Sequence, residues 1–282
     1  MNHLSRRDFL RTAGAGMAAA TVLSRAEASS NPAGSAGHGT ERLTLGLASY
    51  TFRKFTLEQT IAMTRRLGLA KLALKDFHLP MDASDAELEA AGRRVREAGL
   101  DLYGCGVVYM KTEAEVNRAF HYAKTAGMRT IIGAPDPSVL AQVDAKTKET
   151  GIRVAIHNHG PEDMTFPTPT SVIEKIKTLN PLVGLCVDVG HTRRAGEDPA
   201  GVILKYRDRL LDVHIKDIDS VEKDGTTVEM GRGVLDVPGI LKALLKIRFD
   251  GVASFEFEKD ESDPLPGVAE SVGYTRGILS VQ

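Results

Sequence analysis

Ala48-Ser49-Tyr50-Thr51-Phe52-Arg53 closes the first short apolar run of this chain, residues 43–49, and its reading decides the fold. A doubly wound open sheet usually places a glycine-rich phosphate loop after its first strand. No glycine occurs in this turn. Seven further apolar runs follow, at residues 71–75, 101–107, 129–133, 153–159, 183–188, 211–216 and 251–257. Each is short and rich in Val, Ile or Leu, the character of parallel strands buried on both faces. Amphipathic stretches separate them, and Gly68, Gly99, Gly127 and Gly151 stand where left-handed helix caps are wanted. Thr56 and Ser84 occupy N-cap positions. Eight strand–helix units within about 240 residues predict an α/β fold, the (β/α)₈ TIM barrel, as a single domain over residues 43–282.

Composition narrows the function. The chain of 282 residues is 42% apolar and 26% charged, with a formal net charge of −1. That balance opposes a disordered protein and a polybasic nucleic-acid binder. The absence of Trp and an aromatic content of 5% oppose a stacking platform for single strands. Cys105 and Cys186, the only cysteines, exclude a disulfide scaffold and read as buried free thiols on separate strands.

The N-terminus is an address. Arg6-Arg7-Asp8-Phe9-Leu10 precedes a Gly- and Ala-rich apolar run that ends near an Ala26-Glu27-Ala28 cleavage pattern. The adjacent arginines identify residues 1–28 as a twin-arginine signal, and residues 29–42 read as a flexible linker. The expected location is periplasmic or otherwise exported, after passage through the twin-arginine machinery. No stable membrane insertion is expected once the signal is cleaved, since its apolar run is too short to span. Export in the folded state allows a metal to be loaded beforehand.

Polar residues gather at the strand ends, where barrels of this class carry their chemistry. In chain order they are Lys75 with His78, Tyr109, His157 with His159, Asp188 with His191, His214 with Lys216, and Glu256 with Glu258. Strand side chains alternate with period two, so His157 and His159 share a face, as do His214 and Lys216, and Glu256 and Glu258. Four strands thereby aim His157, Asp188, His214 and Glu256 at one axis. Unpaired ionisable groups in a barrel interior are costly, so the set calls for mutual pairing, water or a cation, and four such residues at equivalent strand ends favour the cation. Mixed imidazole and carboxylate ligands suit one divalent ion, Mn²⁺ first, with Zn²⁺, Co²⁺, Fe²⁺ or Mg²⁺ as alternatives. The fifth-strand ligand has three readings: His157 with His159 in the substrate pocket, His159 itself, or Glu162 from the following loop.

These motifs resemble the xylose-isomerase-like barrel superfamily, also described as the sugar phosphate isomerase/epimerase family. The carriers are Ile156-His157-Asn158-His159, Cys186-Val187-Asp188-Val189-Gly190-His191, Val213-His214-Ile215-Lys216-Asp217, Gly231-Arg232-Gly233-Val234-Leu235-Asp236 and Phe255-Glu256-Phe257-Glu258. The resemblance implies a metal held by Glu, Asp, His and Glu from strands five to eight. Asp188, His214 and Glu256 match the last three, while His157 stands where the first Glu is expected. That departure removes one negative charge and a carboxylate that can take part in proton transfer in epimerases of the family.

The chemistry expected is α-proton abstraction from a non-phosphorylated keto-sugar through a metal-stabilised enediolate, as in an isomerase or epimerase. One alternative is a lyase that cleaves a 3-keto-glycoside, or dehydrates a keto-sugar, by β-elimination at the same site. Another is a non-catalytic sugar-binding barrel. Lys75, His159 and Glu258 are the catalytic candidates. His78, Tyr109, Glu162, His191, Lys216, Arg53 and Arg232 are candidates for binding a sugar or glycoside. Nucleic acid is not an expected partner, and a homo-oligomer is compatible with the class. The charged stretch 217–229 reads as a solvated loop placed where a lid could form.

Overall fold

The computed structural model describes residues 43–282, so the signal and linker expected over residues 1–42 lie outside the described residues. In chain order the strands are β1 (Leu45–Ala48), β2 (Lys71–Leu74), β3 (Asp101–Met110), β4 (Thr130–Pro135), β5 (Arg153–His157), β6 (Val183–Asp188) and β7 (Leu210–Ile215). A short antiparallel ribbon, β8 (Asp217–Ile218) and β9 (Thr227–Val228), follows, and β10 (Val252–Phe255) is the eighth barrel strand. The barrel closes in the order β1-β10-β7-β6-β5-β4-β3-β2, with Leu47 opposite Phe255 at the seam. The predicted TIM barrel is the observed fold.

The helices are α1 (Leu57–Arg66), α2 (Asp85–Glu97), α3 (Glu113–Ala126), α4 (Leu140–Thr150), α5 (Pro169–Ile176), α6 (Val189–Arg194), α7 (Pro199–Lys205), α8 (Val237–Lys246) and α9 (Leu265–Ser280). Thr56 and Ser84 cap α1 and α2 as expected, each within a reciprocal capping box. Gly127 and Gly151 end α3 and α4 with φ of 78° and 73°, conformations costly for any residue with a Cβ. No described helix is long and apolar enough to cross a membrane.

Two cores hold these layers together. Outward-facing strand residues such as Leu72, Ile131, Val154, Leu185 and Val213 pack against the helices. Each such buried aliphatic side chain contributes about 1.5–3 kcal/mol. Inside the barrel a smaller set, Ala73, Tyr103, Ile132, Ala155, Cys186 and Val252, forms the floor. Small residues there leave room for a polar tie, the Tyr103 hydroxyl on Ser254 Oγ at 2.7 Å.

Strand periodicity then places the site. Two residues beyond Ala155, Cys186, Asp212 and Ser254 come His157, Asp188, His214 and Glu256, the next inward-facing layer. The third strand runs on to Met110 through a register shift between Cys105 and Val108. That irregularity carries Tyr109 to the rim, 56% exposed.

Candidate metal centre

The four strand-end residues converge. His157, Asp188, His214 and Glu256 each offer a ligand atom, and these atoms all lie within 4.8 Å of one another. His157 Nε2 is 3.2 Å from His214 Nδ1 and 3.5 Å from Asp188 Oδ2, and His214 Nδ1 is 3.2 Å from Glu256 Oε2. Bonds of about 2.1 Å to one cation separate cis ligands by about 3 Å, so the spacing fits. All four side chains are buried.

Local structure fixes each ligand. Asp188 ends β6 and caps α6, its Oδ1 accepting the His191 N–H at 2.7 Å, which turns Oδ2 toward the axis. Asn158 locks the neighbouring strand ends: its Oδ1 accepts the Asp188 N–H at 3.0 Å, and its Nδ2 donates to Thr192 Oγ1 at 3.1 Å. Below His214, Asp212 Oδ1 lies 3.9 Å from Nε2.

A cation already sits against the carboxylates. The Lys216 ammonium is 3.0 Å from Asp188 Oδ2, 2.8 Å from Glu256 Oε2 and 2.6 Å from Glu258 Oε1. Although burial opposes their charge, Lys216 holds both Asp188 and Glu256 well below the usual carboxylate range. Burial opposes the ammonium too, and the three carboxylates outweigh it and raise Lys216 well above its usual value. Burial lowers His157 to about 4, so it is neutral at neutral pH. His214 is also desolvated, yet Glu256 and its neighbours raise it to about 8. A buried site that protonates one histidine and recruits one ammonium has the donor set and the charge for a divalent ion.

Around the rim, His159 lies with its ring 4.5 Å from that of His157. Its Nδ1 faces Asp163 Oδ2 at 3.4 Å, and its Nε2 is 3.2 Å from the Tyr109 hydroxyl. Burial lowers His159 to about 4. His191 is next to it, and its Nδ1 is 2.6 Å from Arg194 Nη2. Glu162 pairs with Arg194 at 3.3 Å. Glu258 is 38% exposed at its side chain and ends the Lys216 chain.

Other expected residues point elsewhere. His78 is buried, and its ring nitrogens are engaged by Ser49 at 2.9 Å, Thr60 at 3.0 Å and the Phe52 carbonyl at 3.1 Å. It ties two loops together and offers no nitrogen to a ligand. Lys75 donates to the Val107 carbonyl at 2.8 Å and pairs with Asp76 at 3.3 Å. Its ammonium is 5.9 Å from the Tyr109 ring, at the edge of the cluster. Arg53 bonds the Glu258 carbonyl at 2.9 Å and Glu261 at 3.2 Å, a brace beneath the eighth strand's loop. Arg232, 63% exposed at its side chain, pairs with Glu270 on α9. The Gly231-Arg232-Gly233 motif serves Asp217 instead, whose carboxylate accepts the N–H groups of Gly231, Gly233 and Leu235 at 2.9 to 3.1 Å. A Cβ on Gly233 would fall 2.2 Å from Asp217 Oδ1.

The sequence reading missed Asn158, Arg194 and Asp212. Asp212 was recoverable, since it shares the face of His214 and Lys216 by strict alternation. Arg194 carries no such signal. The two cysteines are free and buried, as expected.

Residues 138–278 match the family model described as xylose isomerase-like TIM barrel. Residues 3–22 match the twin-arginine translocation pathway signal sequence, which directs the chain to export. An inosose dehydratase of Clostridium perfringens is 31% identical over 152 residues, covering 48% of this chain and 48% of the relative. The match thus spans about half the length of the curated relatives. Among solved structures, an L-ribulose 3-epimerase superposes with a TM-score of 0.69 at 19% identity, covering 85% of this chain and 95% of that one. The IolI protein with a bound zinc atom superposes with a TM-score of 0.71 at 18% identity, covering 85% and 99%. Both likenesses are likenesses of fold.

Proposed function

The chain belongs to the xylose isomerase-like TIM barrel family, and from that premise we propose that it is an exported, divalent-metal-dependent lyase. Its substrate class is a non-phosphorylated keto-sugar, keto-glycoside or keto-cyclitol. It removes the proton beside the carbonyl and expels an oxygen substituent from the next carbon. The observation that carries this reading is the cluster itself, with His157 in a place where the family's epimerases carry a carboxylate. Epimerisation needs a base on each face of the acidic carbon, whereas elimination needs one. The inosose dehydratase relative is named for a loss of water and supports the same choice.

His157, Asp188, His214 and Glu256 would hold the ion. Once bound, it supplies Lewis acidity to the substrate carbonyl and its neighbouring hydroxyl. His159 is the base. It is neutral at neutral pH, and its Nε2 meets the Tyr109 hydroxyl at 3.2 Å, a partner that substrate displaces when Nε2 takes the proton. The α-proton passes to His159 Nε2, the C–H electrons form the carbon–carbon double bond, and the C–O bond breaks. The leaving oxygen then takes up that proton and departs as water or an alcohol. Lys216 balances the negative charge that develops, and Tyr109 stacks beside the His159 ring with centroids 5.7 Å apart.

The test is to incubate Mn²⁺-loaded protein with keto-cyclitols and 3-keto-glycosides in D₂O. The expected result is an unsaturated ketone with loss of water or alcohol, abolished in His159→Gln and Asp188→Asn. Deuterium at the α-carbon with no loss of mass would establish isomerisation or epimerisation instead.

A further inference from the structure

We propose that Arg194 locks His191 in one tautomer, bare at Nδ1 and protonated at Nε2, so that His191 meets a substrate oxygen as a fixed hydrogen-bond donor. Arg194 Nη2 lies 2.6 Å from His191 Nδ1. A guanidinium only donates, so the nitrogen it touches must accept. An imidazole with a bare Nδ1 carries its single proton on Nε2.

Arg194 is itself held from two loops. Its Nη1 pairs with Glu162 Oε1 at 3.3 Å in the loop after β5, and it also donates to the Lys223 carbonyl in the ribbon after β7. His191 and Arg194 both stand on α6, after β6. Gly160 makes the contact possible, because a Cβ there would stand 3.1 Å from His191 Nδ1 and 3.4 Å from Arg194 Nη2. Among the described residues no side chain or carbonyl partners His191 Nε2. His191 and Arg194 both line a cavity of about 300 Å³ together with Lys216 and Glu258, and the His191 ring centroid is 5.8 Å from that of His157.

The two rim histidines have opposite charges behind them. Asp163 Oδ2 stands 3.4 Å from Nδ1 of His159, while Arg194 at Nδ1 of His191 leaves its Nε2 a donor. A neutral imidazole does not surrender its last proton at ordinary pH, so His191 polarises an oxygen without protonating it. Arg194 is a positioning residue that acts through His191. That the oxygen belongs to a keto-polyol rests on the function proposed above; the tautomer does not.

The experiment is a long-range ¹H–¹⁵N correlation spectrum of the mature, Zn²⁺-loaded protein labelled with ¹⁵N-histidine, with His191 assigned by its loss in His191→Gln. The expected spectrum has a pyrrole-type Nε2 and a pyridine-type Nδ1 for His191. Arg194→Met should mix the two tautomers, and Arg194→Lys, which still donates, should retain the first. A protonated Nδ1 in the wild type, or an unchanged tautomer in Arg194→Met, overturns the proposal. The wild-type spectrum decides even if a variant fails to fold. Failure of the protein to turn over substrate would defeat the lyase reading and leave this spectrum unaffected.

Discussion

Replacing Lys216 by Met removes the one ammonium that faces three carboxylates while keeping the length of its apolar stem. In the metal-free protein, Asp188 Oδ2 and Glu256 Oε2 lose partners at 3.0 and 2.8 Å, and both are buried. Breaking a buried ion pair by removing one partner costs about 3–5 kcal/mol. At about 2–4 °C per kcal/mol for a domain of this size, Tm should fall by about 6–20 °C at pH 7. Metal should recover much of that loss, because a ligand at a thousandfold excess over Kd adds about 4 kcal/mol to the native state. The pH dependence has a definite sign. Lys216 depresses the carboxylates in the folded protein, so its contribution is fully present above their unfolded pKa of about 4 and is lost as pH falls further. The gap between wild type and variant should therefore close in acid. Scanning calorimetry of both proteins, with and without Mn²⁺, measures all of this. A metal-free Lys216→Met protein melting within about 2 °C of wild type at pH 7 would refute the reasoning.

Four further outcomes are expected. His214, held at about 8 in the metal-free site, must lose its proton to ligate, so metal affinity should fall about tenfold per pH unit below that value. Isothermal titration in buffers of different ionisation enthalpy checks it, and a flat affinity between about pH 6 and 8 contradicts it. By the same shift, metal-free stability from His214 is fullest below its unfolded pKa of about 6.5 and fades as pH rises through the folded value. Gly190→Ala would set a Cβ 2.8 Å from Lys216 Cδ, so the variant should lose about 1–3 kcal/mol and bind metal with altered affinity; an unchanged Tm and Kd would count against the packing described. Asp217→Asn weakens charge-assisted bonds to the Gly231 and Gly233 amides. It should cost about 1.5–3 kcal/mol by thermal melting, with Mn²⁺ affinity little changed.

The barrel was legible because each strand is a short, largely buried run and most of the helices carry an N-cap side chain, as Thr56 and Ser84 do for α1 and α2. The four cluster residues were legible for a related reason: a charged or imidazole side chain at the end of an apolar strand has few ways to be buried alone. His78 shows the limit of that rule. It stands near a strand end like His157, but Ser49, Thr60 and Phe52 surround it, and nothing in its neighbours in sequence announces them. Lys216 was read as a substrate contact, although its alternation with His214 points it into the cluster, where it meets carboxylates from two other strands. The stretch expected as a solvated loop folds in part as the ribbon β8–β9. Its anchor, Asp217, and the clasp made by Arg194 depend on loop paths that local pattern does not encode.

The central claim is that one cation binds between the ends of four barrel strands. An anomalous difference map from a crystal of the mature protein grown with Mn²⁺ tests it most directly. A single strong peak should stand within bonding distance of His157, Asp188, His214 and Glu256, with Lys216 drawn off the carboxylates. No peak there, or a peak held by other residues, would contradict the account.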